Sequence, residues 1–310
     1  MNIDHLIGVD LGGSHYAVAG FTPDGRLLDY RHVPFTIRGQ AELVLSGLAD
    51  LIREVMQTHH AKPESTLIGL GMPGPQDRRR GVITKAHNIG WYEVPVTEPL
   101  EQCIGSRCFL ENDAVAATCG EWWQGAGRGT RHLVGLTLGT GLGGGMLVHG
   151  RAYYGSGDIA GHFGHLVIDL HGRRCPCGVQ GCLEAYVSSA GMQKTASEVG
   201  LDLAAESGAK PIYELAIAGD HRAQEVFART ADYLAAGIAS IVHGVNPEKV
   251  VVGGAIALAG EILFRPLRER LAERVFPAAR PGLRVEPFAL GDRSAAYGAA
   301  IQALHRAQEE

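Results

Sequence analysis

The sequence predicts an α/β protein of two similar lobes, and three observations carry that prediction. The chain opens on two short apolar runs, Leu6–Asp10 and Tyr16–Phe21, joined by the turn Leu11-Gly12-Gly13-Ser14-His15. The same order returns at mid-chain, where His132–Leu138, Gly139–Gly145 and Met146–His149 read as strand, glycine turn and strand. Apolar spacing typical of helices follows each opening. A strand-rich start followed by helices, twice over, indicates an internal duplication and an α/β architecture.

Each element has its own reason. Thr22-Pro23-Asp24-Gly25 makes a turn before a third strand, Arg26–His32, so the opening is a meander. Ala41–Met56 sets Leu43, Val44, Leu48, Leu51, Ile52, Val55 and Met56 at helical spacing. Thr66–Gly71 is a strand stopped by Met72-Pro73-Gly74-Pro75. Arg107–Glu111 is another, and Asp113 is placed to cap the helix behind it. In the second half, helices are expected around Ser188–Val199, Pro211–Ala218 and Arg222–Val245. A strand at Lys249–Val252 ends in Gly253-Gly254, and Ser294–Leu304 is a terminal helix. No low-complexity linker separates the halves. The expected division gives 1–117 with 294–310 to the first lobe and 118–293 to the second.

Composition narrows the function. The 310 residues suffice for about two domains with a sizeable core. A net charge of −5 without a basic block argues against nucleic acid or an anionic membrane as partner. Met1–Asp10 runs straight into a strand-like segment with no secretory leader, and no apolar stretch approaches the roughly 18 residues of a membrane span. Cys103, Cys108 and Cys119 lie outside the cysteine cluster described next and form no disulfide framework, which fits a reducing cytoplasm.

The richest chemistry lies in Gly164–Glu184, with the pattern G-H-x9-C-x-C-G-x2-G-C-x-E. His165, Cys175, Cys177 and Cys182 make a complete tetrahedral ligand set for Zn2+, with no position left for a water. A closed site is structural, so the metal would fold a loop and do no chemistry. The alternative is scattered core residues or two disulfides; Cys175 and Cys177 are too close to pair comfortably, and Gly178 and Gly181 suit a tight knuckle.

Two glycine turns come next in weight. Asp10-Leu11-Gly12-Gly13-Ser14 brings consecutive backbone N–H groups toward an anion, and Asp10 is placed to hold Mg2+ through water. Gly139, Thr140 and Gly141 begin a second such turn. It contains a G-x-G-x-x-G match, yet Met146–Val148 reads as strand where a dinucleotide fingerprint must open a helix. Each turn alone is as readily a plain hairpin; together they look like two walls of a nucleotide cleft. Gly253-Gly254 offers a third backbone approach, suited to adenine or ribose, or is a plain strand-to-helix turn. In Glu111-Asn112-Asp113-Ala114, Asp113 is either a helix cap or a base that accepts a hydroxyl proton during phosphoryl transfer.

These segments, with Gly71-Met72-Pro73-Gly74, resemble the ROK family of sugar kinases and sugar-responsive repressors across the whole chain. The resemblance implies two ribonuclease-H-like lobes of the actin-like ATPase group closing on ATP and a sugar. It implies that Asp113 is the base for the sugar 6-hydroxyl. Asn112, His165 and Glu184 would hold other hydroxyls, and Gly74 would pass its backbone close to the sugar. It implies a homodimer or homotetramer by analogy.

The sequence departs from the family pattern at Gly161-His162-Phe163-Gly164-His165, where most family kinases carry Glu at the position of His162. Bacterial N-acetylmannosamine kinases of the family resemble this chain there, whereas His87-Asn88-Ile89-Gly90-Trp91 resembles the glucokinase type. His15 stands where many members have Lys. Family repressors carry a DNA-binding helix-turn-helix before the first glycine turn; nine residues precede Asp10, so the kinase branch is expected. The alternatives are a non-catalytic sugar-binding or sensor protein of the same fold, and a zinc hydrolase, which would need an open ligand position.

Overall fold

The computed structural model describes residues 3–13, 15–34, 39–87, 89–204 and 207–309. The chain divides into two units, Met1–Gly129 with Ala152–Ala160 and Asp292–Glu310, and Thr130–Arg151 with Gly161–Gly291.

The first unit is built on a sheet of β1 (His5–Leu11), β2 (His15–Phe21), β3 (Leu27–Pro34), β4 (Thr66–Met72) and β8 (Arg107–Asn112), ordered β3-β2-β1-β4-β8. The antiparallel hairpins β1–β2 and β2–β3 give way to parallel pairing of β1 with β4 and β4 with β8. Between β4 and β8 lie a small antiparallel sheet, β5 (Gln76–Asp77), β6 (Val82–Ala86) and β7 (Trp91–Pro95), and helix α2 (Thr97–Ile104). Helix α1 (Ala41–Thr58) turns Val44, Leu48, Ile52 and Val55 inward, as its spacing predicts, onto a core shared with Val9, Val18 and Leu70.

Two further helices, α3 (Asp113–Gln124) and α9 (Ser294–Glu309), settle the boundary of this unit. A Cβ on Gly8 or Gly69 would collide with α9 backbone, and Gly120 and Gly298 let α3 and α9 cross at backbone distance. Helix α3 therefore belongs to the first unit along its whole length. The expected boundary after residue 117 would cut it; the division falls instead at Gly129, and residues 152–160 rejoin the first unit from within the second half of the sequence.

The second unit repeats the plan. Strands β9 (Leu133–Leu138), β10 (Leu142–Val148), β11 (Arg151–Ala152), β12 (Lys249–Gly253) and β13 (Arg284–Pro287) are ordered β11-β10-β9-β12-β13. Pairing is antiparallel for β9–β10 and parallel for β9–β12 and β12–β13, matching the first sheet position for position. Helices α4 (Glu184–Val187), α5 (Ser189–Glu198), α6 (Lys210–Ile217), α7 (His221–Val245) and α8 (Glu261–Arg274) complete it. Asp220 caps α7 by accepting from Arg222 N and Ala223 N, and Asn246 ends it in the left-handed region at φ 45°.

One expectation changes here. Gly143, Gly144 and Gly145 lie inside β10, paired with Thr137, Leu136 and Gly135, so the second turn is only Gly139–Gly141. The strand takes glycine because a Cβ on Gly144 would strike the Gly161 carbonyl and the Phe163 ring. Among the described residues no helix is long and apolar enough to cross a membrane.

Candidate functional site

In the first unit, the turn from β8 into α3 displays the carboxylate of interest. Asn112, rather than the expected Asp113, is the cap: its Oδ1 accepts from Ala114 N (3.0 Å) and Val115 N (3.2 Å). Both residue types cap well, so the pattern left the choice open. Asp113 is the first helical residue, partly buried, and its Oδ1 accepts from Ala114 N at 2.8 Å. Burial pushes its carboxyl up to about 6 against these hydrogen bonds.

Asp10, paired with Gly71 across β1 and β4, is pushed up to about 7 by burial and then by the negative charges of Asp113 and Asp292. Three aspartates thus share one field. Gly12 N donates to the His15 carbonyl at 2.9 Å and closes the first turn; Gly13 is exposed, and Ser14 lies outside the described residues. The His15 ring stacks on His32 with centroids 4.6 Å apart. Gly74 sits at φ 86° against the Lys85 carbonyl, where a Cβ would collide, so the turn after β4 requires glycine.

The second unit gathers His165, Cys175, Cys177 and Cys182 so that their ligand atoms all lie within 4.8 Å of one another. Cys177 Sγ lies 3.7 Å from Cys182 Sγ, and Cys175 Sγ 3.9 Å from His165 Nδ1. Metal–sulfur bonds of about 2.3 Å give a tetrahedron with edges of about 3.8 Å, so the donor set fits one zinc-sized ion. The knuckle closes through Cys175 N to the Val179 carbonyl (2.9 Å), with Gly178 at φ 95°. Behind it the buried Arg173 guanidinium donates to the carbonyls of Ala185 and Gly191 and to Thr195 Oγ1, and pairs with Glu198.

Glu184 ties this cluster to the second glycine turn. Its Oε2 accepts from Leu142 N at 2.9 Å, and its Oε1 lies 3.6 Å from Cys175 Sγ. Ser189 Oγ donates to the Gly139 carbonyl at 3.0 Å on the other side of Thr140. Gly254, at φ 88°, packs on the Leu138 carbonyl with no room for a Cβ. Gly139–Gly141, Gly254 and Glu184 therefore form one group, while Gly253 leaves space for the Phe288 ring. His162 is exposed, its ring near-parallel to that of His165 with centroids 6.4 Å apart.

Sequence reasoning missed a buried ionic group directly behind Asn112. Glu111, 2% exposed, pairs with Arg78 at 3.1 Å and accepts the Tyr154 hydroxyl proton at 2.6 Å. These residues come from three separate segments, and no local motif announces them.

Comparison with known proteins converges on one family. The ROK family model matches residues 6–306. The chain is 39% identical to the glucokinase of Thermotoga maritima over 285 residues, 88% of this chain and 89% of that protein. It is 33% identical to the N-acetylmannosamine kinase of Escherichia fergusonii over 254 residues, 82% and 84% of the two chains. A ROK family glucokinase from Streptomyces griseus, solved with glucose and AMPPNP, matches with a TM-score of 0.80 at 30% identity, covering 97% of this chain and 99% of that one.

Proposed function

The chain belongs to the ROK family and is a sugar kinase of the actin-like ATPase fold, and from that premise we propose that it moves the γ-phosphoryl group of ATP to the 6-hydroxyl of glucose or an N-acetylhexosamine. The observation that carries this reading is Asp113. It stands at a helix start beside Asp10 and a glycine turn, with its carboxyl pushed up to about 6. Transfer to a hydroxyl needs an acceptor for one proton and close alignment of donor and acceptor. A base titrating near 6 is ionised at neutral pH and basic enough to take a shared proton from the attacking hydroxyl.

The other residues divide the remaining work. Asn112 Oδ1 is committed to the helix cap, which leaves its amide N–H groups to donate to a sugar hydroxyl. His165 turns Nδ1 toward the thiols, leaving Nε2–H for the sugar. Glu184 keeps acceptor capacity beyond the Leu142 amide. Gly74 brings backbone close to the sugar. Gly12 N and Gly139 N close their own turns, so the amides of Gly13, Thr140 and Gly141 would be the ones to face phosphates, with Asp10 to hold Mg2+ and Gly253-Gly254 to approach the adenosine; Ser14, expected beside Gly13, lies outside the described residues. Zn2+ on His165, Cys175, Cys177 and Cys182 supplies folding energy to the loop that carries the sugar contacts.

A coupled kinase assay over glucose, N-acetylmannosamine, N-acetylglucosamine and mannose tests the proposal. Saturable ATP-dependent turnover with at least one sugar is expected. Sugar binding without turnover would favour a sensor instead.

His162 favours a second reading of the sugar. Neutral His both donates and accepts, whereas Glu only accepts, so His162 suits an acetamido carbonyl. On this reading N-acetylmannosamine is a competent substrate. His162→Glu then shifts the ratio of kcat/KM values toward glucose by about tenfold, the worth of roughly one hydrogen bond. An unchanged ratio removes His162 from the specificity argument. Asn88, in the glucokinase-like segment, lies outside the described residues.

A further inference from the structure

We propose that Tyr154, carried on the 152–160 excursion, is a positioning residue that acts through Glu111 to hold Asn112 and Asp113 in their working geometry. The excursion leaves the second unit after Arg151 and re-enters it at Gly161, yet its residues belong to the first. Tyr154 anchors it there. Its hydroxyl donates to Glu111 Oε2 at 2.6 Å and lies 3.3 Å from Gln302 Oε1, while the Arg78 guanidinium stacks on its ring at 3.5 Å. Arg78 also reaches Glu111 at 3.1 Å and Asp158, on the same excursion, at 4.0 Å.

The second Glu111 oxygen completes the connection. Oε1 accepts from Asn112 N at 2.9 Å, the amide of the residue whose side chain caps α3. A short path of hydrogen bonds thus runs from Tyr154 through the Glu111 carboxylate to the Asn112 backbone, one residue from Asp113. Burying such a carboxylate is costly, and paired burial is weak evidence of a stability role. The Arg78 Nε, buried without a partner among the described residues, points the same way: the group is not optimised for stability alone. Its placement is what a rigid support for a reacting carboxylate requires, since small displacements of such a group cost large factors in rate.

The inference rests on the kinase reading for its catalytic consequence, and the test separates the two. Tyr154→Phe removes one hydroxyl and keeps the ring under Arg78. Hydrogen exchange at the amides of Asn112, Ala114 and Val115 should accelerate in Tyr154→Phe, with distant segments unchanged. In turnover with the best sugar of the panel, kcat should fall roughly tenfold while KM for sugar and ATP stays within about twofold. Because both act on one path, Tyr154→Phe with Glu111→Gln should cost no more than Glu111→Gln alone. Unchanged exchange at residues 112–115, or strictly additive losses in kcat, would overturn the proposal. A wild type that phosphorylates no sugar overturns the kinase reading, and the exchange result then decides the Tyr154 connection by itself.

Discussion

The two glycine turns are the same hairpin built twice and set in different surroundings. Leu11 pairs with Tyr16 across the first and Leu138 with Leu142 across the second. Asp10 faces Gly71 on the parallel neighbour of its strand; Thr137, one residue before its own turn, faces Gly253 on the equivalent neighbour. The duplicated position thus carries a carboxylate in one unit and a hydroxyl in the other. The difference extends outward. The first turn stands in the field of Asp113 and Asp292. The second has its amide at Leu142 and its carbonyl at Gly139 taken up by Glu184 and Ser189, at the edge of the cysteine cluster. Duplication supplied two glycine turns; divergence left one unit with the raised carboxyls of Asp10 and Asp113 and the other with the His165 and cysteine cluster.

The largest expected effect removes what only the first unit has. Asp113→Asn keeps the shape and the hydrogen bond to Ala114 but cannot take a proton. Turnover should fall by about 10²–10⁴ with sugar affinity little changed, measured by steady-state kinetics and calorimetric binding. In the wild type kcat/KM should decline as pH drops through about 6, because the base must be ionised. Near-normal turnover in Asp113→Asn would end the assignment of the base.

Next comes what only the second unit has. Elemental analysis should find about one zinc per chain in the wild type and less in Cys177→Ser, with lower Tm and weaker sugar binding together. A smaller effect sharpens the comparison itself. Thr137→Asp gives the second turn the carboxylate of the first, a negative charge where phosphate is proposed to bind. KM for ATP should rise about tenfold, the size of one unfavourable interaction of about 1.4 kcal/mol. An unchanged KM would mean that the second turn does not face phosphate.

How much of this was legible follows from how local each feature is. The hairpin at Leu11–His15 declares itself in a dozen residues, as does the candidate ligand cluster, packed into 18 positions from His165 to Cys182; the second hairpin was legible too, but with its turn drawn through Gly145, because glycines inside β10 read as turn. Helix α8 was missed because Arg265, Arg268, Glu269, Arg270, Glu273 and Arg274 outweigh its few apolar positions. The sheet β5–β6–β7 consists of strands too short to show alternation. The Glu111 group was invisible because Tyr154 lies 43 residues away and its approach depends on an excursion between units that no pattern encodes.

The smallest prediction concerns stability, and again separates the two turns. Asp10 and Asp113 both have carboxyls raised by burial, to about 7 and about 6. A raised carboxyl binds its proton more tightly in the folded than in the unfolded chain. Its contribution to stability is therefore full below about 3.8 and lost as pH rises through the folded value. Glu111, raised by burial as well, acts with the same sign. His15 acts oppositely: burial and His32 lower it, so its contribution is lost as pH falls. The wild type alone mixes these signs, but its difference from Asp10→Asn isolates one group. Tm of Asp10→Asn should exceed that of the wild type at about pH 8 by a few degrees. The gap should close towards about pH 5, where Asp10 is already protonated. Thr137→Val, at the equivalent place in the second unit, should show no pH-dependent gap. A pH-dependent gap of equal size in both variants would mean that the first turn does not store the cost of its aspartate, and that the contrast between the two turns is one of sequence only.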